Sequence, residues 1–149
     1  MTLLSRRSAL LIALLLATPL RAQNSSPRAE KRVVIRGYDP VAYFTEGRPV
    51  KGVPEFTADF DELTYWFASP KHRDLFVSDP DRYAPQFSGL CTISMSMGQL
   101  AEPDPEAWTI ADGKLYLFSA KAGVAYFQQQ TASVVAKAVE VWPGLNKRQ

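Results

Sequence analysis

Two stretches of the chain repeat one pattern, and this repetition constrains the fold more than any other feature. Phe67-Ala68-Ser69 and Phe118-Ser119-Ala120 each follow a run of alternating apolar and polar residues. In each stretch a second aromatic residue, Phe76 or Phe127, comes nine residues after the first. Alternation predicts strands, and a small polar residue before an apolar-periodic run is typical of a helix start. Each unit is therefore predicted to be a hairpin, a sharp turn and a helix.

Turn and cap residues support this interpretation. Asp112-Gly113 lies between two short apolar runs and is the strongest hairpin cue in the chain. Ser69-Pro70 combines a good N-cap with a proline suited to the first helical position. A last amphipathic helix is predicted over Ala132–Val141, ending before Pro143-Gly144. The repeat has two interpretations: a pseudo-symmetric pair of modules enclosing a site, or a recurrent packing solution with the aromatic residues in a shared core.

The first 22 residues have the order of a secretory signal: a positive start with Arg6 and Arg7, an apolar run over Ala9–Ala17, and a small residue at Ala22. Nine apolar residues are too few for a membrane span, which needs roughly 20. We therefore expect a cleaved signal peptide (1–22), no transmembrane anchor after cleavage, and a periplasmic or secreted product. Ser5-Arg6-Arg7-Ser8 partly matches a twin-arginine signal, so the Sec and twin-arginine routes both remain open.

Removal of the signal changes the charge of the protein. The whole chain has 17 basic and 15 acidic residues, and Arg6, Arg7 and Arg21 belong to the signal. The mature part then carries 14 basic residues against 15 acidic ones, which gives a net charge of −1. This balance argues against a nucleic-acid partner. We predict a flexible leader at 23–31 and one small α+β domain at 32–145, with two β-hairpin-plus-helix units and a C-terminal helix.

Four separated motifs carry a resemblance to a known family. They are Gly37-Tyr38-Asp39-Pro40-Val41-Ala42-Tyr43-Phe44, Thr64-Tyr65-Trp66-Phe67-Ala68-Ser69, Asp79-Pro80-Asp81-Arg82-Tyr83-Ala84-Pro85 and Asp104-Pro105-Glu106-Ala107-Trp108. With these motifs the chain resembles exported YHS-domain proteins over about residues 33 to 143. The resemblance implies a binding or accessory module, although most members of this exported branch have no assigned role.

Relatives of the wider YHS family are often taken as metal-binding modules that use cysteines. The stretches corresponding to those cysteines, 40–42 and 67–70, contain none here. The exported branch has a Gly-Gly-x-Cys-Ala pattern, which in this chain is Ser88-Gly89-Leu90-Cys91-Thr92. A thiolate site of the wider family's type is therefore not expected, and Cys91 is the cysteine to consider.

Cys91, Met95 and Met97 form a cluster of soft ligands along the sequence. Cys91 and Met95 are four residues apart and would share one face of a helix. Thiolate and thioether ligands suit Cu(I), so the expected cofactor is copper or another transition metal, and His72 could complete the site if the segments approach. The competing interpretation is ordinary core packing for the sulfur residues and a helix-surface position for His72.

Two further possibilities come from the residues. Asp39, with Tyr38 and Tyr43, could line a pocket, or Asp39 could simply build the turn before Pro40. Cys91 and His72 could form a nucleophile–base pair, but no orienting third residue is recognisable, so we expect no enzyme. The predicted partner is a metal ion or an unidentified periplasmic protein. In the alternative function, the chain is an interaction protein that docks through an aromatic surface.

Overall fold

The computed structural model describes residues 30–146, so the predicted signal peptide and residues 23–29 of the leader lie outside the described residues. From Lys31 onward these residues form one compact unit of mixed helix and strand, which confirms the α+β prediction. In chain order the elements are α1 (Pro40–Thr45), β1 (Val53–Phe60), β2 (Leu63–Phe67), α2 (Pro70–Ser78), α3 (Pro80–Tyr83), α4 (Thr92–Ser96), β3 (Asp104–Ala111), β4 (Lys114–Phe118) and α5 (Lys121–Asn146).

Both predicted hairpins are present. β1 pairs antiparallel with β2, and β3 pairs antiparallel with β4, so the described residues contain two separate two-stranded sheets. Asp61, Glu62, Asp112 and Gly113 all have positive φ, as a tight hairpin turn with right-handed twist requires. Each first strand also has an irregular register near its start, between Val53 and Thr57 or between Asp104 and Trp108. The two hairpins therefore repeat even in their irregularity.

The helix caps follow the sequence signals. Ser69 caps α2 by accepting a hydrogen bond from the backbone N–H of His72, and Pro70 occupies the first helical position. Asp79 caps α3 in the same way through the N–H of Arg82. The sequence did not predict α1, whose N-cap is Asp39 and whose first residue is Pro40. The Asp-Pro pair thus begins a helix as well as forming a turn.

The C-terminal region differs from the prediction. α5 runs as one element from Lys121 to Asn146, with a non-helical backbone conformation at Gln130 that divides it. The prediction that the last helix ends before Pro143 is wrong, because Pro143 lies inside the helix. Leu145, beyond the proline, is buried in the core, and this packing holds the last turn in place. None of the helices in residues 30–146 combines the length and apolar character needed to cross a bilayer.

The repeat extends further back than the hairpins. A short 3-10 turn precedes each short helix, at Val34–Gly37 and at Gln86–Gly89. In each turn the two central residues and the glycine have positive φ, and the residue after the glycine returns to an extended conformation. α1 and α4 begin two residues later. The described domain is therefore two copies of one unit: turn, short helix, hairpin and helix.

The aromatic residues pack alike in the two copies but in different clusters. The ring centroids of Phe67 and Phe76 are 5.2 Å apart, and those of Phe118 and Phe127 are 5.1 Å apart. The first pair belongs to one buried cluster and the second pair to another, so the expected shared core is in fact two cores. The first cluster also contains Leu115 and Leu117 of β4. The second copy therefore contributes side chains to the core of the first.

Candidate functional site

The most elaborate polar arrangement in the described residues surrounds the carboxylate of Asp39, which is completely buried. Its Oδ1 atom accepts hydrogen bonds from the backbone N–H groups of Val41 (2.8 Å) and Ala42 (3.3 Å) at the start of α1. Its Oδ2 atom accepts a hydrogen bond from the N–H of Ala68 (2.8 Å), just after β2. A buried carboxylate is tolerated when several donors satisfy it in this way.

His72 completes this arrangement from α2. Its Nδ1 atom lies 2.7 Å from Oδ2 of Asp39, and its Nε2 atom lies 3.3 Å from Oγ1 of Thr45. The Thr45 hydroxyl also lies 3.1 Å from the carbonyl oxygen of Val41, to which it donates. The carboxylate, imidazole and hydroxyl follow one another in the same order as in an acid–base–nucleophile triad. A hydroxyl has one proton, and Thr45 donates it to the carbonyl of Val41 and not to His72. The contacts among Asp39, His72 and Thr45 therefore link α1 to α2.

Sequence reasoning named Asp39 and His72 but did not bring them together. They are 33 residues apart, and neither belongs to a motif that implies the other. The usable signal was the Ser69-Pro70 cap, because it fixes where α2 starts and therefore where His72 lies in the first turn. The distance between that turn and the Asp-Pro turn of α1 depends on how the two helices pack, which local sequence signals do not specify.

Cys91 occupies in the second copy the position of Asp39 in the first. Asp39 is the N-cap residue of α1, and Cys91 is the N-cap residue of α4. The N–H of Asp39 donates to the carbonyl of Val50, and the N–H of Cys91 donates to the carbonyl of Ala101, each at 2.9 Å. Both residues are almost fully buried, with Cys91 only 4% exposed. A thiol therefore stands where the first copy has a carboxylate.

The surroundings of Cys91 lower the pKa of its thiol. Burial raises the pKa of the Cys91 thiol, but hydrogen-bonding interactions with Ser119 and Ser94 outweigh burial, so the pKa lies below the ordinary thiol value. Ser119 and Ser94 correspond in the repeat to Ala68 and Ala42, the residues that donate to Asp39. The second copy thus retains an anion-stabilising environment around a different side chain.

The four predicted metal ligands lie in different surroundings. Cys91 and Met95 belong to one buried cluster, and the N–H of Met95 donates to the carbonyl of Cys91 at 2.9 Å. Met97 is 65% exposed at the end of α4. His72 makes its side-chain hydrogen bonds with Asp39 and Thr45 in the first copy. Within residues 30–146, no three His, Cys, Asp or Glu side chains come together as a metal-holding group.

The three predicted pocket residues also have defined surroundings. Tyr43 is buried, and its hydroxyl donates to the carbonyl of Pro105 at 3.0 Å. Its ring packs edge-on against Trp108, 5.0 Å between centroids. Tyr38 is half-buried, and its ring lies 6.0 Å from the ammonium group of Lys51. Asp39 and Tyr43 therefore have their polar groups satisfied inside the protein.

The chain matches no protein-family model, no curated protein and no solved structure. The resemblance to exported YHS-domain proteins accordingly stays a prediction based on the four motifs.

Proposed function

We propose that this chain is an exported, non-catalytic binding or accessory module of the YHS type, and that it binds a soft metal ion such as copper through Cys91. The observation that carries the proposal is the position of Cys91 at the N-cap of α4, one helical turn from Met95 in the same buried cluster. The lowered pKa of the Cys91 thiol, where hydrogen bonding outweighs burial, supports it. The thiolate is the form of cysteine that binds metals. Soft thiolate and thioether ligands select Cu(I).

Met95 is the second ligand in this proposal. It lies one helical turn from Cys91, in the same buried cluster, and residues four apart on a helix share a face. Met97 is exposed, and His72 is engaged by Asp39, so neither is assigned to the metal. The same engagement of His72 is the reason to leave a Cys91–His72 catalytic pair out of the proposal.

Docking through an aromatic surface is less well supported. Most aromatic side chains of the described residues belong to the two clusters or pack against them. Among the large apolar residues that are exposed in the described part of the chain, only Tyr126 on α5 is aromatic, with 44% exposure. The others are aliphatic. These aliphatic residues are Val53, Val77, Met97, Leu100, Ile110 and Val139.

The test is metal binding by the purified mature protein under reducing conditions, with Cu(I) added and a competing chelator used to measure affinity. We expect one Cu(I) per chain at micromolar or tighter affinity, no binding by Cys91→Ser, and weakened binding by Met95→Leu. Met97→Leu is the matched control, because it removes an exposed thioether from the same helix end. Equal binding by Cys91→Ser, or no binding by the unmodified protein, would overturn the proposal.

A further inference from the structure

A cavity of about 160 Å³ opens beside the turn of the first hairpin and does not involve Cys91 or Asp39. Its wall combines acidic, amide and aromatic side chains from the β1–β2 turn, α3, the second 3-10 turn and α5. Those that matter for recognition are Asp61, Tyr65, Asp81, Gln86 and Trp142. Drug-sized ligands occupy sites of roughly 300 Å³ or more, so this cavity suits only a small group.

Tyr65 is the unusual member of this wall. Tyr65 is only 2% exposed, and its hydroxyl has no hydrogen-bond partner within residues 30–146, but the hydroxyl oxygen retains accessible surface. Burial raises the pKa of Tyr65 to about 12, with the charge of Asp61 as the next cause. The phenol therefore keeps its proton at neutral pH, and its oxygen can still accept a hydrogen bond from a ligand.

The charge of the cavity is negative. Asp61 and Asp81 both line it, and neither makes an ion pair or a side-chain hydrogen bond within the described residues. No basic side chain of the described residues lines the cavity. Arg32 acts on Tyr65 from outside it, where its guanidinium donates to the carbonyl of Ser88 and lies 3.5 Å from Glu102. The unpaired charge facing the cavity therefore comes from two carboxylates.

We propose that this cavity binds the ammonium group of a small primary amine. The carboxylates of Asp61 and Asp81 supply charge, while the oxygens of Tyr65 and Gln86 accept N–H hydrogen bonds. The indole of Trp142 adds an aromatic surface, which favours cations. The site is distinct from the soft-metal site, since neither Cys91 nor Met95 lines the cavity.

The experiment uses methylammonium chloride as the probe and the full mature chain, with binding followed by chemical-shift changes of the Trp142 indole N–H. We expect saturable binding with Kd on the order of millimolar, as is reasonable for so small a ligand. Asp61→Asn and Asp81→Asn should each raise Kd about fivefold, the effect of removing one partly solvated charge. The double variant should show no saturation. Asparagine tolerates the positive φ of position 61, so the turn should survive.

Asp112→Asn is the matched control, because Asp112 holds the equivalent turn position of the second hairpin, also at positive φ. It should leave Kd unchanged. Tetramethylammonium, which has the charge but no N–H donors, should bind at least fivefold more weakly than methylammonium. The proposal is overturned by any of three results: no saturable binding, an unchanged Kd in the double Asp61/Asp81 variant, or tighter binding of Mg²⁺ or Ca²⁺ than of the amine.

Discussion

The Nδ1 atom of His72 lies 2.7 Å from the Oδ2 atom of Asp39, whereas the residue that matches His72 in the second copy is Gly123. Each is the third residue of its helix. A Cβ atom at Gly123 would lie 3.1 Å from the Cδ1 atom of Ile93, so apolar packing fills the space that the imidazole takes in the first copy. In the first copy, the side chain of His72 on the following helix contacts the buried carboxylate. In the second copy, Gly123 offers no side chain to the thiol of Cys91.

The Asp39–His72 pair should contribute strongly to stability. Asp39→Asn replaces a carboxylate oxygen by an NH₂ group facing backbone donors, so we expect the free energy of unfolding to fall by about 3 kcal/mol. His72→Ala should cost about 1–3 kcal/mol, and the double variant should cost less than the sum of both. Urea denaturation measures these values. Asp74→Asn, exposed on the same helix, is the control and should change the free energy by less than about 0.5 kcal/mol.

Alkaline pH should destabilise the fold through its buried tyrosines. Burial, and then the charge of Asp61, raises the pKa of Tyr65 to about 12, and burial also raises the pKa of Tyr43. The unfolded chain loses these protons near pH 10, so the stabilising contribution is complete below about pH 10 and is lost as pH rises towards 12. Urea midpoints measured across this range should fall. Tyr65→Phe should flatten the fall, while Tyr126→Phe, on an exposed tyrosine, should leave it unchanged.

The thiol of Cys91 should titrate at lower pH in the folded protein than in urea. Burial raises its folded pKa, but hydrogen bonding with Ser119 and Ser94 together lowers the pKa by more. The thiolate therefore contributes stability above the unfolded pKa, and this contribution is lost as pH falls through the folded pKa. Thiolate absorbance, corrected with Cys91→Ser, reports both titrations. Ser119→Ala should move the folded midpoint upward. Identical midpoints in folded and unfolded protein would contradict the assigned environment.

Much of the local structure could be predicted because it depends on neighbouring residues. Asp112-Gly113 specifies a hairpin turn, and Ser69-Pro70 specifies a helix start, wherever they occur in the chain. The helical turn beyond Pro143 could not be predicted, because it depends on the burial of Leu145 against distant elements. Local propensity yields to tertiary packing at such positions.

The candidate sites were less predictable than the fold. Cys91 and Met95 were paired from their spacing, and this proximity in the helix is local. The approach of His72 to Asp39, and the environment of Tyr65 beside Asp61, depend on how elements pack. The equivalence of Cys91 and Asp39 was hidden because the two short helices share almost no sequence.

Gly52 marks a close approach that should not tolerate a side chain. A Cβ atom there would lie 2.6 Å from the carbonyl carbon of Trp66 and 2.7 Å from its oxygen, so the backbone of β2 would have to move. We expect Gly52→Ala to lower the free energy of unfolding by about 3 kcal/mol, a typical cost of overpacking. Gly47→Ala, which meets no atom within 4 Å but has a φ of 65°, should cost about 1 kcal/mol from backbone strain. Urea denaturation of the two variants compares a steric effect with a conformational one.

Leu115 and Leu117 of β4 complete the first cluster, so the first copy has no complete interior of its own, whereas the second cluster lies wholly within the second copy. A lone two-stranded hairpin is marginal in water, and each copy contains only one. Fragment 30–84 should therefore be unstructured on its own, and mixing it with fragment 85–146 should restore the circular dichroism of the intact domain. The first half of the domain thus depends on the second for its interior, an arrangement suited to fragment complementation.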